Sequence, residues 1–546
     1  MKTLRHILAL ALCLSVSATG FAVRPRTTSG QAAGADRDNP ALWQPASHPM
    51  LTKAAQPGTY ATYDFVRTGS HRYPVALVEF SDVRFIIKDK DRLTERFDRM
   101  FNQHGFTHDA PPVYTSPTGN TTIHISPWAG CVRDYFYDQS FGKFDPQFDI
   151  IGTFRLPRES SHYGKGNENS RPLMRELLDS IAGRGIDLTP YIRNGNIDGF
   201  LFIYAGKGEN YSGANTNSIY PKADTIKNRH GINNIRFACS CELFWDSDTI
   251  IDGIGAICHE FSHLLGLPDF YNVFSQYNST QVEAMGLWSL MDYGNYANEG
   301  FTPSAFTAFE KYSMGWMDLE DIDVPGYYTL TDVTKEPDPA ADIHTAYRIK
   351  TTGNDDTFII LENHLRTGWN KFNPAEGLMA TAVAYFQSNW TSNLVNTSYS
   401  IDSKRYHILA ADNNYSIDTE RADLFPYNNI DSITINGAPR LAALGNNAIY
   451  SIYNIRWNDA RISFYAGKER ESEVERHQAG GVSMSVQGDC LIICAPAGSQ
   501  VSIHELSGRT VLETVMETET LRIPVTGSGF RIVKCGDVTR KIRIEK

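Results

Sequence analysis

Ile257-Cys258-His259-Glu260-Phe261-Ser262-His263-Leu264-Leu265-Gly266-Leu267-Pro268-Asp269 is the stretch from which the rest of the chain is best read. Its pattern predicts a helix from about Ile254 to Leu265, opened by Asp252 as N-cap and ended at Gly266. Positions four apart share a helical face, so His259 and His263 can point both imidazoles at one ion. Glu260 lies beside that face, where a carboxylate can take a proton from a water at the metal. A catalytic zinc wants three protein ligands and one open position, so two histidines do not suffice. Gly266 lets the chain leave the helix sharply and return, which makes Asp269 the natural third ligand. The five-residue histidine pattern also arises by chance at solvated helix ends. Here the helical setting, the glycine and the later carboxylate together favour a metal site. Because zinc has no redox chemistry, the economical reaction class is hydrolysis, and the pattern alone says no more than that.

Upstream of this stretch, Tyr73–Phe80 and Gly199–Tyr204 have the unbroken apolar character of buried strands, and Asp89–Phe101 and Arg171–Ala182 show helical spacing. A further helix is expected over Pro303–Met314. Between about Tyr327 and Tyr465 the pattern shifts to short alternating runs broken by Asn, Asp and Gly, which predicts β-structure. Residues 468–481 are charged and then Gly-rich, as a linker would be. Beyond them come seven short runs, Val482–Val486, Leu491–Cys494, Val501–Glu505, Thr510–Val515, Leu521–Pro524, Phe530–Lys534 and Lys541–Ile544, the signature of a small β-sandwich.

At the other end, Met1-Lys2-Thr3-Leu4-Arg5-His6 precedes an apolar run from Ile7 to Val16 and small residues ending near Ala22. That describes a secretory signal peptide over 1–22, too short to span a bilayer, and no other apolar run is long enough to do so. Residues 23–72 follow as a leader or propeptide, the mark of a zymogen. The expected organisation is thus an α/β catalytic domain over 73–320, a β-rich extension over 321–467, the linker, and the sandwich over 482–546. A hydrophobic fraction of 41% fits a well-packed globular protein. A net charge of −11 argues against nucleic acid or anionic membrane as the main partner. Removing the signal peptide, with Cys13, leaves Cys131, Cys239, Cys241, Cys258, Cys490, Cys494 and Cys535, too sparse and odd in number for a disulfide framework. Cys239-Ser240-Cys241 has no second pair at zinc-finger spacing, so buried or locally paired thiols are expected there.

The histidine stretch resembles the metzincin clan, and its aspartate variant is similar to the immune inhibitor A family of secreted bacterial metalloproteases. Trp288-Ser289-Leu290-Met291-Asp292-Tyr293 looks like the methionine turn that metzincins place under the metal, with Met291 as its methionine. Tyr293 matches a tyrosine that in related families approaches the metal and helps bind the oxyanion. The likeness runs from about Pro74 to Trp316, through Val78-Glu79-Phe80-Ser81-Asp82, Val132-Arg133-Asp134-Tyr135-Phe136 and Asn196-Ile197-Asp198-Gly199-Phe200, the last resembling the strand before the metal helix. Most metzincins carry histidine where Asp269 stands. The resemblance implies a zinc-dependent endopeptidase acting on proteins or peptides through a metal-activated water, with Glu260 as general base. A structural calcium is a further expectation, the Asn194–Asp198 loop being one acidic candidate, although no calcium-loop spacing is complete. Val501-Ser502-Ile503-His504-Glu505-Leu506-Ser507-Gly508-Arg509 and the closing Arg540-Lys541-Ile542-Arg543-Ile544 resemble the sorting domain of the type IX secretion system. This implies that machinery as a partner and a secreted or cell-surface location. Two alternatives stay open: a zinc hydrolase of non-peptide substrates, and a surface adhesin or binding protein on the same scaffold.

Overall fold

The computed structural model describes residues 21–22 and 65–544, apart from 118, 120, 165–169, 213–216, 274–283, 342, 354, 398–399, 435–446, 469–481, 488–489, 519, 525–528 and 537. The basic start and apolar run of the signal peptide, the leader up to residue 64, and the linker from 469 lie outside the described residues.

Val75–Val78 and Phe200–Ile203 are apolar on consecutive positions because both faces of their sheet are covered. The sheet has six strands in the order Phe21–Ala22, Lys222–Arg229, Ile232–Leu243, Asn196–Lys207, Gly69–Glu79, Phe144–Arg155. The last four run parallel, and Lys222–Arg229 pairs antiparallel with each of its neighbours. Alternate side chains enter two cores, as a period of two requires. Val75, Leu77, Leu201 and Ile203 face one, with Leu93, Phe97 and Phe101 of the helix Lys90–Asn102 and with Phe261 of the histidine helix. Ala76, Val78, Phe200 and Phe202 face the other, against Leu173, Leu177 and Ile181 of the helix Ser170–Gly183. Helices therefore cover both faces of a mostly parallel sheet, a mixed α/β arrangement.

Both upstream helices stand within two residues of their expected limits, and Asp89 caps the first by accepting from the Arg92 N–H at 2.9 Å. The helix expected over Pro303–Met314 is shorter, Ala308–Ser313. It starts where Thr307 and Glu310 form a capping box and bond each other's backbone N–H groups. Two long strands, Phe144–Arg155 and Ile232–Leu243, were not anticipated. Each mixes Asp, Asn or Gly into its alternation, and their neighbours in the sheet supply the pairing that local pattern does not advertise. The strand directly before the histidine helix is accordingly Ile232–Leu243, while Asn196–Lys207 lies one hairpin earlier in the chain.

The described residues divide into two compact units. The first holds the chain up to Asp323 together with Thr329–Ile449 and Ile455–Ser463. It includes a second sheet of five strands, ordered Tyr406–Ile408, Gly377–Ala384, Thr357–His364, Ala346–Lys350, Glu320–Asp321. Phe358, Ile360, Met379, Val383 and Tyr406 of that sheet belong to the same hydrophobic core as Phe261 and Met291. Thr357–His364 and Gly377–Ala384 are buried along their whole length. The second unit contains all seven expected C-terminal strands, in a three-stranded sheet and a four-stranded one, with Met484, Leu491, Ile493, Val501, Ile503 and Val533 in a common core. Among the described residues no helix is long and apolar enough to cross a membrane.

Candidate metal centre

The histidine helix spans Gly255–Leu264, and every residue on it is buried. Its N-cap is Ile254, which makes no side-chain cap bond. The expected cap, Asp252, instead accepts from the Gly253 N–H and the Tyr211 hydroxyl, each at 2.8 Å. Glycines flank Ile254 on both sides, where the backbone of the neighbouring segment comes too close for a side chain. A Cβ on Gly255 would sit 1.9 Å from the Asn295 carbonyl oxygen, and one on Gly253 would sit 2.1 Å from that of Gly300. At the other end Gly266 adopts φ +101, a conformation glycine takes at no steric cost, and turns the chain back toward the helix.

That turn brings the three expected ligands together. His259 Nε2 and His263 Nε2 lie 3.1 Å apart, and Asp269 Oδ1 is 3.1 Å from the first and 3.3 Å from the second. Among the described residues this is where three candidate metal-ligating side chains gather. All three are buried. Each ring gives its other nitrogen to a carbonyl: His259 Nδ1–H donates to Leu290 O at 2.8 Å, and His263 Nδ1–H to Leu267 O at 2.7 Å. Rings held in that tautomer turn the Nε2 lone pairs inward. Two nitrogens and a carboxylate oxygen then converge as electron-pair donors with no proton between them, an arrangement that a cation resolves. A tetrahedral ion bonded at about 2.0–2.2 Å keeps its ligands roughly 3.3–3.5 Å apart, close to the spacing present. The donor set fits a divalent metal.

Electrostatics agree. Burial pushes the His263 imidazole toward its neutral, lone-pair-bearing form, against the opposing pull of Asp269. Burial also pushes the Asp269 carboxyl up, but its electrostatic interactions with His263 and His259 outweigh that push, so Asp269 stays ionised below the usual carboxylate range. Glu260 is fully buried between the histidines in sequence. Its charge adds to the burial that holds the neighbouring Cys239 thiol up. Cys239 and Cys241 stand on the buried strand Ile232–Leu243 as free thiols.

The segment Trp288–Tyr293 turns beneath the helix and holds it. Its Leu290 carbonyl receives the His259 bond, and the Met291 carbonyl accepts from Phe270 N–H at 2.8 Å. Asp292 closes the turn by accepting from the Met285 and Gly286 N–H groups, each at 3.0 Å. Ser289 Oγ donates to Glu310 Oε1 at 2.7 Å, and burial raises that carboxyl to about 7. Met291 is fully buried in the core shared with the histidine helix. Tyr293 is buried with its ring against Tyr296, 5.3 Å between centroids. The Asn194–Asp198 stretch expected as a loop is one only at its start: Asn196–Asp198 begin the strand Asn196–Lys207, and Asp198 pairs with Arg193 at 3.0 Å.

One residue of the centre escaped the sequence altogether. Asn393, in the five-stranded-sheet region, donates from Nδ2 to Asp269 Oδ2 at 2.6 Å and accepts the Asp269 N–H on Oδ1 at 2.7 Å. Three residues on, Asn396 Nδ2 donates to the Phe270 carbonyl at 2.7 Å. No spacing signal links asparagines to an aspartate this far upstream; only the tertiary fold joins them.

Residues 64–319 match the family described as immune inhibitor A peptidase M6, catalytic domain. Pre-pro-metalloprotease PrtV of Vibrio cholerae serotype O1 is 27% identical over 315 residues, covering 48% of this chain and 33% of that protein. Immune inhibitor A of Bacillus thuringiensis subsp. alesti is 22% identical over 293 residues, covering 46% and 41%. The chain thus spans between a third and two fifths of the length of these relatives. The parallel sheet, the histidine helix and all three converging ligands lie inside a segment similar to the peptidase M6 catalytic domain.

Proposed function

We propose that this protein is a secreted zinc-dependent endopeptidase whose metal is held by His259, His263 and Asp269. The observation that carries the reading is the triangle of inward-facing donors, each ring braced by a carbonyl behind it. Its match to the peptidase M6 catalytic domain supplies the substrate class, peptide bonds in proteins. A bound zinc supplies Lewis acidity toward the scissile carbonyl and acidifies water. Glu260 takes the proton of the attacking water on its carboxylate and passes it to the leaving amine. Tyr293 is the candidate donor to the oxyanion, and Met291 anchors the turn beneath the ligands. The basic, apolar and small-residue sequence of 1–22 supports export, and 23–72 would be removed on maturation. The C-terminal strands form a β-sandwich that serves as a type IX sorting domain and delivers the enzyme to the surface or medium. Calcium is secondary, since Asp198 of the candidate stretch stands in a strand and is paired with Arg193.

The test is casein hydrolysis by the purified protein before and after removal of metal with a chelator. Activity should vanish on chelation and return with stoichiometric zinc. Zinc-dependent hydrolysis of small esters without proteolysis would replace the reading with that of a non-peptide hydrolase. A protein that binds surface ligands and hydrolyses nothing would replace it with an adhesin.

A further inference from the structure

Asp269 can ligate only if one carboxylate oxygen is turned toward the two histidines and kept there. Oδ1 has that position, at 3.1 and 3.3 Å from the two Nε2 atoms. Oδ2 is occupied by the Asn393 amide at 2.6 Å, and the Asp269 backbone is fixed by the same side chain at 2.7 Å. A single amide thus holds both the main chain and the carboxylate plane of the ligand. Few residues could do so. The side chain must donate and accept at once, which an amide does and a carboxylate does not. It must also stand on a left-handed backbone, φ +53 at Asn393, which asparagine and glycine tolerate best. Asn393 is 1% exposed, so water does not compete for either bond.

The flanking contacts brace the amide. Asn396 accepts the Arg405 and Tyr406 N–H groups on Oδ1 at 2.8 and 3.1 Å while its Nδ2 holds the Phe270 carbonyl. The Phe270 ring packs against Tyr406, 4.7 Å between centroids. The loop carrying the third ligand is therefore gripped at two successive residues by Asn393 and Asn396, both outside the segment that matches the peptidase M6 catalytic domain.

We infer that Asn393 is the positioning residue of the metal centre: it orients Asp269 for ligation, and the region after residue 320 is a working part of the site. The inference rests on the reading of His259, His263 and Asp269 as zinc ligands. Partners of this kind around a metal ligand typically contribute 10–100-fold to metal affinity.

The test uses the full mature protein and compares Asn393→Gly with Asn413→Gly and Asp269→Ala. Glycine accepts the backbone of Asn393 without strain, so the substitution removes the side chain and leaves the main chain its conformation. Asn413 is exposed with the same left-handed backbone, φ +56, and controls for the backbone change. Zinc affinity is measured by competition with a chromophoric chelator, and the cobalt(II)-substituted proteins are compared by visible absorption, which reports ligand geometry. Asn393→Gly should weaken zinc binding 10–100-fold and alter the cobalt spectrum, while Asn413→Gly matches wild type in both. Should the glycine variant not fold, Asn393→Ser carries the same comparison, because its hydroxyl cannot span both bonds. If Asp269→Ala weakens zinc and the Asn393 variants keep wild-type affinity and spectrum, the inference is overturned while the metal reading stands. If Asp269→Ala itself leaves zinc binding unchanged, both fall together.

Discussion

At Glu260 the structure separates two measurements that most substitutions in a metal site confuse. The side chains that converge to hold the proposed metal are His259, His263 and Asp269, and Glu260 is not among them. Glu260→Ala should therefore lower hydrolysis by at least 10²-fold while a metal assay still finds zinc at wild-type stoichiometry. Near wild-type turnover would remove it from the mechanism. Asp269→Ala should do the opposite first, releasing zinc at concentrations that wild type retains, and Asp269→His should recover part of the affinity. The convergence of His259, His263 and Asp269 was legible in the sequence because a helix places i and i+4 on one face and a glycine permits the return. Asn393 was not legible, since its meaning lies in a bond across 124 residues. Asp252 misled for a related reason: an aspartate before a helix has the composition of a cap, yet the buried Tyr211 hydroxyl claims it.

Individual elements were readable where local chemistry and tertiary demand agree. The capping box of Thr307 and Glu310 was present in the sequence, and it shows why the helix begins at Ala308 and not at Pro303. The strands Phe144–Arg155 and Ile232–Leu243 were hidden because neighbours in the sheet, not their own alternation, stabilise them. The histidine helix illustrates the converse dependence, with its N-terminal glycines pressed against the carbonyls of Asn295 and Gly300. Gly255→Ala drives a methyl into the Asn295 carbonyl and should cost about 2–3 kcal/mol, the upper part of the usual range for overpacking. Gly183 closes the helix Ser170–Gly183 with open space around it. Gly183→Ala should leave stability unchanged or raise it by up to about 1 kcal/mol. Thermal unfolding of the two variants beside wild type checks the contrast; equal melting points would contradict the close approach.

Across the whole molecule, several buried carboxyls set a pH dependence of stability. Burial raises Glu242, Glu310 and Asp423 to about 7 each. In the folded state they keep a proton up to about that pH, whereas the unfolded chain releases it near the ordinary carboxylate value. The folded state thus binds more protons between roughly pH 4 and 7, and these groups make stability fall as pH rises through that window. Asp423 isolates the effect, because Trp288 Nε1–H donates to it at 2.8 Å and an asparagine oxygen can accept the same bond. Asp423→Asn should match wild type near pH 4 and exceed it progressively toward pH 7, each tenfold change in proton affinity being worth about 1.4 kcal/mol. A constant difference in unfolding free energy between pH 4 and 7 would show that the carboxyl titrates normally. The C-terminal strands have a core of their own, so a chain ended near Glu469 should retain zinc and specific activity in vitro while failing to leave its native host. Loss of activity in the purified truncated chain, or its normal export, would refute the sorting role. A chain ended at Leu319 is a different matter, because it keeps all three proposed ligands and lacks the amide that bonds one of them. A ribosome making this protein thus produces the histidines and the aspartate well over a hundred residues before Asn393 emerges. On the proposed ligand assignment, the site is therefore complete only when the second sheet has formed around Asn393, which ties the proposed chemistry to folding of the whole first unit.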